Sequence, residues 1–63
     1  MATIEDIEEK IAALKADIAE YEGMLKSATR DERKALLTII LATKTRINDL
    51  QIEKQERLEQ LGS

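Results

Sequence analysis

The sequence predicts an all-α protein, an antiparallel helical hairpin of the coiled-coil type that assembles into a four-helix bundle as a homodimer or higher oligomer. Charged residues make up 37% of the chain, proline is absent and aromatic residues amount to 2%, a composition typical of long helices and coiled coils. Apolar residues recur every three or four positions in both halves of the chain, and this repeat breaks once near the middle. We therefore expect one domain over residues 1–63, with a first helix over about 3–27, a turn over about 27–30 and a second helix over about 30–61.

The length of the chain limits how large a core it can build. Below about 70–80 residues a single hydrophobic core rarely supplies more than a few kcal/mol, and this chain has 63 residues. It contains neither cysteine nor histidine, so disulfides and the usual zinc sites cannot stabilise it. Self-association is then the remaining way to bury more apolar surface, and we predict no cofactor.

The first helix is predicted to begin at Thr3, whose hydroxyl can cap it, with Asp6 completing a capping box. The apolar positions that follow alternate at spacings of three and four residues, the heptad pattern of a helix that packs against a partner helix. Helices that lie on a membrane show the same pattern, but the acidic residues between the apolar positions favour a partner helix. The predicted core positions of this helix are Ile4, Ile7, Ile11, Leu14, Ile18, Tyr21 and Leu25.

Small residues form a separate stripe on the first helix, the alanine–glycine seam, which comprises Ala12, Ala16, Ala19 and Gly23. At about 100° per residue these positions share a face that lies roughly 120–180° from the large apolar residues. One interpretation is a second contact surface, because small residues allow two helix backbones to approach closely. The other is that alanine is simply the best helix former and that the glycine marks the end of the helix.

The break in the apolar repeat falls between Leu25 and Leu36, and Thr29 followed by Glu32 forms a capping box inside it. The second helix should therefore begin near Arg30, after a loop of about two to four residues that forces antiparallel packing. A single continuous helix is the alternative, because neither proline nor glycine occurs at the turn. The interrupted heptad phase favours the hairpin.

The second helix carries apolar residues on more than one side. We predict that Leu36, Ile40, Ile47 and Leu50 complete the intrachain core. Within the continuous apolar run of residues 35–42, other side chains point away from that core, and a single neighbouring helix cannot cover both sides. The longer second helix also overhangs the first at its end. The candidate oligomer interface therefore comprises the alanine–glycine seam together with Leu37, Ile39, Leu41, Leu58 and Leu61.

The charge balance bears on possible partners and on location. Ten basic and thirteen acidic residues give a net charge of −3, which speaks against general binding to phosphate backbones or anionic lipid. The longest apolar run is eight residues including Thr38, well short of the roughly 20 needed to span a bilayer. The acidic N-terminal segment lacks the features of a targeting signal. We predict an intracellular, soluble, cytoplasmic chain that contacts no membrane and does not favour nucleic acid.

The sequence contains no pattern of residues that indicates an active site. It lacks histidine, a glycine-rich phosphate loop and a nucleophile with an adjacent base, so we predict that it is not an enzyme. We predict a non-catalytic module for oligomerisation or protein–protein interaction, such as the assembly segment of a larger protein, which pairs with itself as a homodimer or homotetramer. The alternative is an adaptor or regulatory hairpin whose Leu37, Leu41 and Ile52 receive a helix of another protein.

The layout of two helices and a short turn resembles the Rop family of plasmid copy-number regulators, which are dimeric four-helix bundles that bind RNA. The resemblance is architectural, and it implies a nucleic-acid-binding bundle as a further alternative. This chain has no phenylalanine and a net negative charge, whereas such RNA binding implies an exposed phenylalanine on a basic face.

Overall fold

The computed structural model describes residues 3–62, which form two helices packed against each other as a hairpin. Helix α1 spans Ile4–Leu25 and helix α2 spans Arg30–Gly62. The molecule is elongated, with extents of 51 × 16 × 14 Å. The predicted all-α hairpin is confirmed, and the alternative of one continuous helix is wrong, because the helical hydrogen bonding ends at Leu25 and begins again at Arg30.

Both helices begin with the capping boxes that the sequence predicts. The Asp6 amide donates to the Thr3 hydroxyl over 3.1 Å, and the Thr3 amide donates to the Asp6 carboxylate over 3.2 Å. At α2 the Glu32 amide donates to the Thr29 hydroxyl over 3.3 Å, and the Thr29 amide donates to Glu32 Oε1 over 3.0 Å. These bonds satisfy amides that have no partner inside their helix, so they fix where each helix starts.

The turn is closed without any left-handed residue, since no described residue has a positive φ. The amides of Lys26, Ser27 and Ala28 each donate to the carbonyl three residues earlier, at 3.3–3.4 Å. The chain therefore leaves α1 through 3₁₀-type turns. Across the turn, Arg33 Nη2 donates to the Leu25 carbonyl over 3.2 Å. The guanidinium therefore satisfies a carbonyl at the end of α1 and ties the start of α2 to it.

The core is a single layer of side chains between the two helices. Its most buried members are Ile7, 1% exposed, and Leu50, 2% exposed. No polar or charged side chain among the described residues is buried. Thr43 reaches the edge of this layer half-buried, and its hydroxyl donates to the Ile39 carbonyl over 2.8 Å. The cluster consists of Ile7, Ile11, Ile18, Ile40, Ile47 and Leu50, with Leu14, Tyr21 and Leu25 packed against it.

Candidate oligomerisation surface

The residues predicted for the intrachain core all lie between the helices or at the margin of that layer. Seven of them are buried, three on α1 and four on α2. The others are half-buried, because a two-helix layer leaves its edges open to solvent. The buried positions are Ile7, Ile11, Ile18, Leu36, Ile40, Ile47 and Leu50, and the half-buried ones are Ile4, Leu14, Tyr21 and Leu25.

Helix α2 has a second apolar stripe, its outer face, which we define as Leu37, Leu41 and Ile52. These side chains are 51%, 67% and 50% exposed. At about 100° per residue they lie roughly 140° from the buried stripe of the same helix. Helix α1 contacts α2 on one side only, so it cannot reach this face.

The alanine–glycine seam also lies on the surface, since all four of its residues are exposed. Gly23 lies in the last turn of α1, and a Cβ atom added to it would meet nothing within 4 Å. The chain itself therefore gives no steric reason for glycine at this position. The position near the helix end leaves both interpretations of the seam open.

The seam and the outer face of α2 lie toward the same broad side of the hairpin. Each is displaced by roughly 140° from the core stripe of its own helix in the direction of increasing residue number. Because both helices are right-handed and run in opposite directions, these two displacements point to one side. One broad side of the hairpin thus presents small residues on α1 and large apolar residues on α2.

Other exposed apolar side chains are distributed outside this broad side. Ile39 is 43% exposed and lies about 160° from Leu41 around the helix. Leu58 and Leu61, near the end of α2, are 43% and 75% exposed. Met24, which the sequence analysis did not select, is 50% exposed beside the turn. Heptad spacing did not reveal it, because Met24 lies off the core stripe.

An open groove lies where the end of α2 passes the start of α1. It measures about 490 Å³ and is lined by Thr3, Ile4, Glu5, Arg57, Gln60 and Leu61. Leu61 is thus adjacent to the first turn of α1, although most of its surface stays exposed. The sequence analysis missed this groove because it depends on how closely the two helices approach at their ends.

Charged side chains flank the apolar surfaces. Lys54 Nζ lies 3.6 Å from Glu8 Oε1 across the hairpin. Arg57 pairs with Glu53 one turn away at 3.3 Å. The Thr29 amide, which donates to the Glu32 carboxylate, and to a lesser extent the Thr29 hydroxyl hold the pKa of the Glu32 carboxyl below its usual value. The ion pairs of Lys54 with Glu8 and of Arg57 with Glu53 are largely open to solvent, and such pairs contribute only about 0–1 kcal/mol each to the free energy of unfolding.

Within the described residues we find no cluster of side chains that could hold a metal ion and no helix that could cross a membrane. Across residues 3–62 no three acidic side chains gather closely enough to hold a metal ion. Neither α1 nor α2 combines the length and the apolar character that crossing a membrane requires. The chain matches no protein-family model, no curated protein and no solved structure at a significant level.

Proposed function

We propose that this chain is a non-catalytic oligomerisation module, which pairs with a second copy to form a four-helix bundle. The observation that supports this proposal is the outer face of α2, where Leu37, Leu41 and Ile52 are each at least half exposed. Leu37 and Leu41 are adjacent on this face and Ile52 lies about three turns further along it, and exposed apolar groups that share one helix face are typical of contact sites. Two hairpins that place these faces together cover on both chains what one hairpin leaves exposed.

The total exposed surface is larger than that of a typical folded monomer of this mass. The chain exposes 4919 Å², whereas a folded monomer of 7.1 kDa is expected to expose about 4,100 Å². The excess is about 800 Å², and a stable protein–protein interface buries about 800 Å² on each partner. The surplus of this elongated hairpin is thus comparable with the area that each partner buries in one contact, which supports the proposal.

The remaining exposed apolar residues provide room for further contacts. The alanine–glycine seam lies on the same broad side as the outer face of α2, so a second hairpin placed there covers part of both. Leu58 and Leu61 lie at the end of α2, beside the start of α1, and remain exposed, so a further copy could cover them in a tetramer. We propose the homodimer as the basic unit.

Sedimentation equilibrium over a wide range of chain concentration, with far-ultraviolet circular dichroism on the same samples, tests the proposal. We expect a defined dimer or tetramer with high helix content. A fully helical monomer at all concentrations would contradict self-association. The outer face would then belong to a helix of another protein, which is the adaptor alternative.

A further inference from the structure

We infer that the second copy docks on the outer face of α2 in the antiparallel orientation, so that the two hairpin turns lie at opposite ends of the assembly. This inference rests on the proposed self-association and adds the contact helix, the orientation and the register. It follows from where α2 places its exposed apolar and charged residues along one stripe.

The stripe runs along nearly the whole of α2. Leu37 and Leu41 lie in its first half, Ile52 lies in its second half, and Asn48 lies between them. Positions that share this face follow one another every three or four residues, except between Leu41 and Asn48, where Lys44 and Thr45 lie on either side of the stripe. From the turn outward the stripe contains Arg30, Lys34, Leu37, Leu41, Asn48, Ile52, Gln55 and Glu59.

In one antiparallel register, each residue of this stripe lies opposite another stripe residue of the second copy. When Leu37 lies opposite Ile52 of the second copy, Leu41 lies opposite Asn48 and Lys34 lies opposite Gln55. The same register places Arg30 opposite Glu59 of the second copy, so the overlap extends over almost all of α2. Two-fold symmetry produces each of these contacts twice.

The charges at the two ends of the stripe interact unfavourably with the dipole of their own helix. Arg30 lies at the start of α2, where the helix dipole is positive, and Glu59 lies in the last turn, where the dipole is negative. No basic residue in that last turn offsets the acidic end. An antiparallel neighbour brings opposite charge and an opposite dipole end to both positions, which a single hairpin does not.

A parallel copy in register has the reverse effect. It places Arg30 and Lys34 beside the same residues of the second copy, and Glu59 beside Glu59. Like charges side by side disfavour that pairing, so the charge pattern selects the antiparallel one. Lys44 flanks the middle of the face, and its long side chain carries the ammonium group outward to solvent.

Reversing the terminal charges tests the register. We expect Arg30→Glu and Glu59→Arg each to weaken the dimer roughly tenfold, because each converts two attractive contacts into repulsive ones. The double variant should recover the affinity of the original chain, since it restores both pairs with their signs exchanged. If the two losses simply add in the double variant, the proposed register is wrong.

Spin labels on single cysteines test the orientation, because the chain has no cysteine of its own. Labels at Asp31→Cys should lie about 40 Å apart along the axis of an antiparallel dimer. In a parallel dimer they should lie within roughly 20 Å, since neighbouring helix axes are only 8–10 Å apart. The matched control Asp49→Cys, on the same side of α2 near its middle, should give a short distance in both orientations.

A pair of neighbouring substitutions tests the contact face. Leu41→Lys should weaken self-association at least tenfold, because it places a charge where apolar surface is buried. Ile39→Lys is the matched control, because Ile39 is also exposed, at 43% against 67% for Leu41, but lies on another side of the same helix. Equal losses from both variants would overturn the assignment of the face.

The outcomes separate this inference from the proposed function. A dimer whose Asp31→Cys labels lie close together would overturn the antiparallel orientation and leave self-association intact. The absence of any dimer in the unmodified chain would refute the proposed function itself. Circular dichroism of each variant confirms that the hairpin still folds, since all substituted positions are exposed.

Discussion

Leu36 and Leu37 are adjacent and chemically identical, yet their surroundings differ completely. Leu36 is 8% exposed and faces α1, whereas Leu37 is 51% exposed and faces away from it. The same contrast extends along the helix, because Leu50 is 2% exposed and Ile52 is 50% exposed. Helix α2 therefore has two apolar faces, and the hairpin covers one of them.

The comparison shows that α2 carries more apolar surface than its own chain requires. In α1 the large apolar residues follow one stripe, with Met24 as the exception. Each large apolar side chain that moves from water into a contact contributes about 1.5–3 kcal/mol when fully buried. Under the proposed self-association, the outer face of α2 would supply stabilisation that the single hairpin does not have.

The largest effect should come from removing a side chain on the inner face. We expect Leu50→Ala to lower the free energy of unfolding by about 2–4 kcal/mol, because it leaves a cavity in the only layer between the helices. Urea denaturation at a fixed chain concentration measures this. Little change in unfolding free energy would mean that the two faces of α2 differ less than their exposure indicates.

On the outer face, Leu37→Ala should act on association more than on the hairpin. We expect the dimer dissociation constant to rise about five- to thirtyfold, since each copy loses roughly 0.5–1 kcal/mol of contact. Sedimentation equilibrium measures the constant, and circular dichroism should show unchanged helix content. An unaltered constant would place the contact elsewhere.

The start of α2 should be less sensitive than its core. Thr29→Ala removes the hydroxyl that accepts from the Glu32 amide, and we expect a loss of about 1 kcal/mol in unfolding free energy. Thr29→Ser keeps the hydroxyl and serves as the control. Equal losses in the two variants would argue against the capping role.

A smaller change of the opposite sign is expected at Gly23. Gly23→Ala should stabilise the hairpin by about 0.5–1 kcal/mol, because alanine favours the helix and its Cβ meets nothing in the chain. If the seam is a close contact, the same substitution should also weaken self-association. An unchanged dissociation constant would show that the alanine–glycine seam is not a contact surface and that its alanines only favour helix formation.

The pH dependence of Glu32 should be the most subtle effect. Its pKa is lowered in the folded chain by the bonds from Thr29, so its contribution to stability is present above the unfolded-state pKa. That contribution disappears as the pH falls through the lowered folded-state pKa. Acid titration of Glu32→Gln, which keeps a cap but cannot titrate, should show a weaker loss of stability than the original chain.

The parts of the fold that depend on short sequence distances were predictable. The capping boxes of Thr3 and Thr29 are each contained in four residues, and both are confirmed. The hairpin followed from the break in the heptad phase. α1 ends at Leu25 rather than near residue 27, because its last amides bond to carbonyls three residues back, and spacing alone does not reveal that change.

Features that depend on how the two helices meet were not predictable. The bond from Arg33 to the Leu25 carbonyl crosses the turn, so it requires the turn geometry in full. The groove between the helix ends is defined by helix separation, which a sequence pattern does not contain. Periodicity identified an additional apolar face with Leu37 and Leu41, but it does not identify what covers that face, which we propose is a second copy.

The melting temperature as a function of chain concentration tests the central claim most directly. If the outer face of α2 is stabilised by a second copy, folding and association are coupled. The melting temperature should then rise by several degrees when the concentration is raised about a hundredfold. A cooperative melt at one constant temperature would show that the hairpin is stable alone and would contradict self-association.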